Sequence, residues 1–208
     1  SSKDLIHWSE QQYIPVMKNE PEVVNVWAPE IFYDDVKKEY IIIWASTIPF
    51  RFEKGVEEEK NNHRMYYVTT KDFKTFSDTK LYYEPGFSVI DCVIVKKGKK
   101  DYVLVLKDNT RPMRNIKVAF GKSPLGPFEK PSKPLTEYLS EGPTVVKVGK
   151  NWLLYYDNYG SKNYKALSTT DFVKFEDVSS KIKLPEGHKH GTITTITAEV
   201  LKGLIEKK

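Results

Sequence analysis

The sequence predicts an all-β fold, the greater part of a β-propeller, and three observations carry that expectation. One strand-and-turn unit recurs four times along the chain. Short runs rich in β-branched and aromatic residues lie between the copies. Helical periodicity is confined to the last stretch, Glu199 to Lys208, which can form one short helix.

The repeat is the strongest of the three. Ser2-Lys3-Asp4-Leu5-Ile6-His7-Trp8-Ser9 matches Thr70-Lys71-Asp72-Phe73-Lys74-Thr75-Phe76-Ser77 and also Thr170-Asp171-Phe172-Val173-Lys174-Phe175-Glu176. Lys122-Ser123-Pro124-Leu125-Gly126-Pro127-Phe128-Glu129 is a looser copy. Each has a polar turn, an apolar anchor, and an aromatic residue three positions on. Such a segment turns the chain from one strand to the next and pins itself with two apolar side chains. Counted at Asp4, Asp72, Pro124 and Asp171, the copies are 68, 52 and 47 residues apart. A period near fifty with about four strands per period is that of propeller blades. A β-sandwich would not repeat this turn.

The strands between the turns are Tyr40–Ala45, Met65–Val68, Tyr102–Leu106 and Trp152–Tyr156. Several are apolar on consecutive residues, which predicts burial on both faces, as when sheet stacks on sheet. The first strand of each blade is expected to line a central channel. Asp91 lies eleven residues before Tyr102, and Glu141 eleven before Trp152. This spacing places the two carboxylates at equivalent heads of successive inner strands, facing one cavity. Pro29-Glu30-Ile31-Phe32-Tyr33 precedes Tyr40 in the same manner, with Glu30 one position off that register. A lone acid in an apolar strand is costly to bury unless it is paired or has a function. Two carboxylates in one cleft can have their pKa values pushed apart, which is the equipment for cleaving a glycosidic bond. For either residue alone, a turn cap is the plain structural alternative.

Composition narrows the classes. The net charge is +5, with scattered lysines; Lys96, Lys97, Lys99 and Lys100 around Gly98 read as a solvated hairpin turn. Basic residues gathered on one face with stacking aromatics are missing, so nucleic acid is not an expected partner. No run of eighteen apolar residues spans a membrane. The opening Ser1-Ser2-Lys3-Asp4 lacks signal-peptide character, and Cys92 is the single cysteine, so no internal disulfide is possible. Neither a phosphate-binding glycine loop nor a Gly-x-Ser-x-Gly elbow occurs.

Four ordered segments resemble glycoside hydrolase family 43: Asn25-Val26-Trp27-Ala28-Pro29-Glu30-Ile31-Phe32-Tyr33-Asp34, Val89-Ile90-Asp91, Ser140-Glu141-Gly142-Pro143, and His190-Gly191-Thr192. The resemblance implies a five-bladed propeller that hydrolyses arabinofuranosides, xylosides or related plant-type glycans with inversion. It implies Glu141 as general acid and Asp91 as the group that tunes and orients it. The family's general base sits in an Arg-Asp-Pro-like segment of blade one. No such segment occurs here, so the expected propeller is N-terminally incomplete: the end of blade one at 1–20, blade two at about 23–84, blade three at 87–135, blade four at 139–180 and the start of blade five at 188–208. The alternative is a propeller that binds carbohydrate without cleaving it. A third use, as a protein-interaction platform, has no specific support.

The same resemblance implies further site residues. Trp27 is a candidate sugar platform at the channel mouth, or else a core residue between blades. Lys107 and Asp108 end a strand at the same rim, where a polar residue contacts substrate or steadies the acid; a solvated turn is the competing view. His190 opens the expected fifth inner strand near the axis, with an outer-shell place beside a structural calcium. His188, two residues earlier, would share its strand face, but a zinc site lacks further ligands. Arg64 fits a structural ion pair. The expected partner is an oligo- or polysaccharide, no organic cofactor is needed, and the family favours a periplasmic or extracellular location.

Overall fold

The computed structural model describes residues 1–53, 56–185 and 187–207. Three antiparallel sheets follow one another along the chain. The first holds β1 (Trp27–Asp34), β2 (Glu39–Ser46), β3 (Arg64–Thr70) and β4 (Lys80–Tyr83). The second holds β5 (Val89–Gly98), β6 (Asp101–Asp108) and β7 (Asn115–Gly121). The third holds β8 (Ser140–Val148), β9 (Asn151–Asn158), β10 (Asn163–Thr169) and the short β11 (Glu176–Asp177). Within each sheet the strands lie in sequence order. A helix, α1 (Ala198–Glu206), falls where periodicity placed it; Lys208 lies outside the described residues.

Consecutive apolar residues are buried because the sheets stack. Tyr102, Leu104 and Leu106 of β6 pack toward the first sheet with Ile41, Ile43, Val89 and Cys92. Val103 and Val105, from alternate positions, pack toward the third with Leu154, Tyr156 and Phe172. Strand period two sends neighbouring side chains to opposite faces, so β6 serves two cores at once. Each fully buried aliphatic side chain contributes about 1.5–3 kcal/mol.

The repeated turn has one chemistry. In the second copy Thr70 Oγ1 accepts the Phe73 N–H at 2.9 Å, and Asp72 Oδ1 accepts Lys74 and Thr75 N–H at 2.8 Å. Ser2 and Asp4 make the same set in the first copy, Thr169 and Asp171 in the third. These bonds hold Leu5, Phe73 and Phe172 in left-handed backbone, at φ 61°, 54° and 63°. The looser copy has Pro124 at the aspartate position. There Gly126 takes the positive φ, and Phe128 bridges back to Gly121.

The second sheet lacks a fourth strand. Residues 129–135 still run along β7: Glu129, Ser132 and Leu135 donate to the carbonyls of Phe120, Val118 and Ile116 at 2.7, 2.8 and 2.8 Å. Pro127, Pro131 and Pro134 have no N–H to give, which interrupts the ladder along this edge.

Two expectations are corrected. The fifth inner strand is not formed: residues 188–197 carry no strand, and Ile193 N–H instead donates to Thr144 Oγ1 beside β8 at 3.1 Å. Asp91 and Glu141 are not at equivalent positions either. Ile90 pairs with Lys107 as Glu141 pairs with Asp157, so the equivalent of Glu141 is Ile90. A bulge between Lys96 and Gly98 adds one residue to the β5–β6 hairpin, which makes the eleven-residue spacings coincide.

Candidate active site

The heads of β1, β5 and β8 share an irregularity that builds the site. Each strand breaks register at its head, between Trp27 and Glu30, Ile90 and Val93, and Glu141 and Thr144. The second residue of each break is left-handed: Ala28 at φ 48°, Asp91 at 54° and Gly142 at 56°. A bulge bends its strand and re-aims the side chains beside it. Trp27, Ala28, Ile90, Asp91 and Glu141 consequently line one cleft of about 610 Å³. In this alignment Glu30 stands level with Val93 and Thr144, two positions beyond Ala28. It lines a smaller cavity behind the cleft, of about 160 Å³, with Pro29, Cys92 and Thr192; Ala28, Asp91 and His190 line both.

Glu141 is ion-paired. Lys107 Nζ, from the β6 position paired with Ile90, donates to Glu141 Oε2 at 2.8 Å. Lys107 is 5% exposed although it carries a charge, and its ammonium also lies 5.6 Å from the centre of the Tyr159 ring. Its rim neighbour Asp108 is buried and accepts from Lys117 Nζ at 2.6 Å, a structural pairing rather than a cleft contact.

Asp91 ties two strands together. Its Oδ2 accepts the Gly142 N–H at 3.1 Å, which links the head of β5 to the head of β8. His190 Nε2 lies 3.7 Å from the same oxygen. The His190 ring covers Gly142 so closely that a Cβ there would stand 2.3 Å from its Cδ2. His188 goes elsewhere: its ring meets Tyr164 edge-on at 4.5 Å. Among the described residues no three His, Cys, Asp or Glu side chains converge on a point.

Trp27 is half exposed and lies against the cleft wall, its ring 5.4 Å from that of His63. His63 is 1% exposed. Its Nδ1 donates to the Asn61 carbonyl at 2.9 Å, leaving Nε2 as a buried acceptor without a partner. Burial, seconded by the positive charge of Lys107, pulls its pKa down to about 4. Burial also pushes the half-buried Glu30 carboxyl up to about 6. Arg64 takes its expected ion pair, with Glu84 at 2.9 Å.

Sequence reasoning named Trp27, Asp91, Lys107, Glu141 and His190, and all five line this cleft. It missed Asn61, Asn109, Arg114 and Tyr159, and gave His63 no role. Asn109 and Arg114 belong to the β6–β7 loop that Lys107 and Asp108 begin, so the rim assignment was the available signal.

The bulged strand heads thus gather two carboxylates, a lysine and a tryptophan in one open cleft. The family described as "Probable glycosyl hydrolase domain", related to glycoside hydrolase family 43, matches residues 1–201, and the chain belongs to it. An α-L-arabinofuranosidase of Bifidobacterium longum is 26% identical over 106 residues, which are 47% of this chain and 10% of that protein. Among solved structures, the α-L-arabinofuranosidase of Lactobacillus brevis has a TM-score of 0.54 at 20% identity, covering 74% of this chain and 54% of its own. A family 117 glycoside hydrolase of Zobellia galactanivorans has a TM-score of 0.61 at 13% identity, covering 82% and 60%. The exo-β-1,3-galactanase of Phanerochaete chrysosporium gives 0.61 at 15%, covering 85% and 42%. These structural likenesses are of fold, and the chain spans a tenth of the curated relative and 42 to 60% of the three solved chains.

Proposed function

We propose that this chain carries the acid side of an inverting glycosidase acting on arabinofuranosides, xylosides or related glycans, on a five-bladed propeller of which its three sheets are blades two to four. The carrying observation is the Glu141–Lys107 pair beside Asp91 in one cleft. In this reading the Glu141 carboxyl protonates the departing glycosidic oxygen. Lys107 then meets the carboxylate so formed, stabilising the product of proton transfer. Asp91 positions Glu141, because its bond to the Gly142 N–H fixes the strand head from which Glu141 projects. Trp27 offers a ring face to the sugar and His63 Nε2 accepts from one hydroxyl. No organic cofactor takes part. An inverting pair sets its base about 6.5–9.5 Å from the acid with a water between them. Among the described residues the cleft offers no third carboxylate for that role.

A second reading has its own support: among the described residues, Asp91 and Glu141 are the only carboxylates lining the cleft. A glycan held there without being cut is the outcome if no base is present. Hydrolysis of aryl arabinofuranosides and xylosides by the protein, compared with Glu141→Gln and Asp91→Asn, decides. Turnover lost in both variants supports the enzyme. Saturable sugar binding with no turnover supports the binding module, and unchanged turnover in both variants removes the assignment of the two carboxylates.

A further inference from the structure

Arg114 is the cleft's unmatched charge. It sits just before β7 and lines the cleft with Trp27, His63 and Lys107. Among the described residues no carboxylate pairs with it, and its Nε, shut off from solvent, donates to nothing. Its backbone is held at both sides: its N–H donates to the Thr110 carbonyl at 3.1 Å, and its carbonyl accepts the Ser140 N–H at 3.0 Å. Between those two bonds its φ is 42°, left-handed for a residue with a long side chain. Such backbone costs about 1–2 kcal/mol and persists where the surroundings over-determine it, commonly at ligand sites.

The other charges of the cleft are spoken for. Lys107 holds Glu141, and Asp91 holds the Gly142 N–H and faces His190. When Glu141 carries the proton required of an acid, Lys107 and Arg114 stand against Asp91 alone, and the cleft has a surplus positive charge. A neutral hydroxyl could accept from the Arg114 fork but would leave that surplus. A carboxylate satisfies both, since the planar guanidinium matches its two oxygens. The chain's net charge of +5 would draw a polyanionic glycan to the surface.

We propose that Arg114 receives a sugar carboxylate, so that the glycan bound in this cleft carries a uronic acid next to the linkage held at Glu141. This rests on the glycan reading of the cleft given above.

The test is calorimetric titration with four probes at low salt: glucuronate-branched xylotriose and trigalacturonate, each as the free acid and as its methyl ester. At least one acid should bind about tenfold or more tighter than its ester, as expected for a charge-assisted pair. Arg114→Gln should level acid and ester, and Arg114→Lys should restore part of the difference. Arg114→Asn, which tolerates left-handed backbone, should repeat the Gln result and guards against a folding defect. Equal binding of acid and ester by the unaltered protein overturns the uronate proposal and leaves the glycan reading standing. An acid preference that survives Arg114→Gln overturns the assignment to Arg114. Absence of binding by all four probes and by neutral xylotriose and arabinotriose overturns both readings.

Discussion

Gly142 donates its N–H to the Asp91 carboxylate at 3.1 Å, so the head of the third sheet is fastened to the head of the second through one oxygen. The same glycine lies beneath the His190 ring, with φ at 56°. Three constraints meet at a residue that has no side chain. Gly142→Ala should therefore cost about 1–2 kcal/mol from its left-handed backbone and push the His190 ring away from Asp91. Urea unfolding gives the first quantity. The His190 imidazole resonance gives the second, and an unchanged resonance would contradict the packing described.

Lys107 is nearly buried while its partner Glu141 is partly open to solvent. Lys107→Met should cost about 1–2 kcal/mol, less than for a wholly buried pair because water reaches the carboxylate left behind. A double-mutant cycle with Glu141→Gln isolates the pair. A coupling of about 0.5 kcal/mol or more is expected, as for residues in contact. A coupling indistinguishable from zero would mean the two groups do not meet in solution.

The repeated turn makes a prediction about acid. Backbone N–H groups of Thr75 and Lys74 hold the Asp72 carboxyl down at about 2 from its usual 3.8. A group whose folded pKa is depressed contributes stability that is complete above pH 3.8 and lost as pH falls through 2. Asp72→Asn should remove that part of the slope and leave the profile above pH 4.5 unchanged in shape. Urea midpoints measured every half unit between pH 2 and 5 check it.

What the sequence revealed and what it hid have physical reasons. The turn chemistry was legible because an Asp two residues after a hydroxyl side chain, then an apolar residue, is a local device whose hydrogen bonds span three positions. The two-faced strands were legible because stacked sheets leave no polar face on β6. The cleft membership of Asp91 and Glu141 was legible from their place at strand heads, but their register was not. A one-residue bulge at Lys97 is silent in a lysine-rich turn, and it shifts every position before it. The fifth strand failed because a strand forms only against a partner, and residues 188–197 meet β8 through a side-chain hydroxyl rather than a ladder. Arg114 was hidden because its role depends on which charges remain unpaired after folding.

Glu30 and His63 flank the Trp27–Ala28 bulge region with opposite pH dependences. Burial raises Glu30 from 4.5 to about 6, so the folded state holds its proton more tightly than the unfolded chain. Stability is lost as pH rises from 4.5 to 6, by about 1–2 kcal/mol. Burial lowers His63 from 6.5 to about 4, so the unfolded chain takes up the proton first. Stability is lost as pH falls from 6.5 to 4, by roughly 2–3 kcal/mol. Between pH 4.5 and 6 the two slopes oppose, and the unaltered protein should show a shallow profile there. Glu30→Gln should expose the histidine slope, with stability rising steadily from pH 4 to 6.5. His63→Gln should expose the carboxylate slope, with stability falling from pH 4.5 to 6. Urea unfolding of the three proteins across pH 4 to 7 decides it. Parallel profiles for all three would show that neither group is buried as the structure places it.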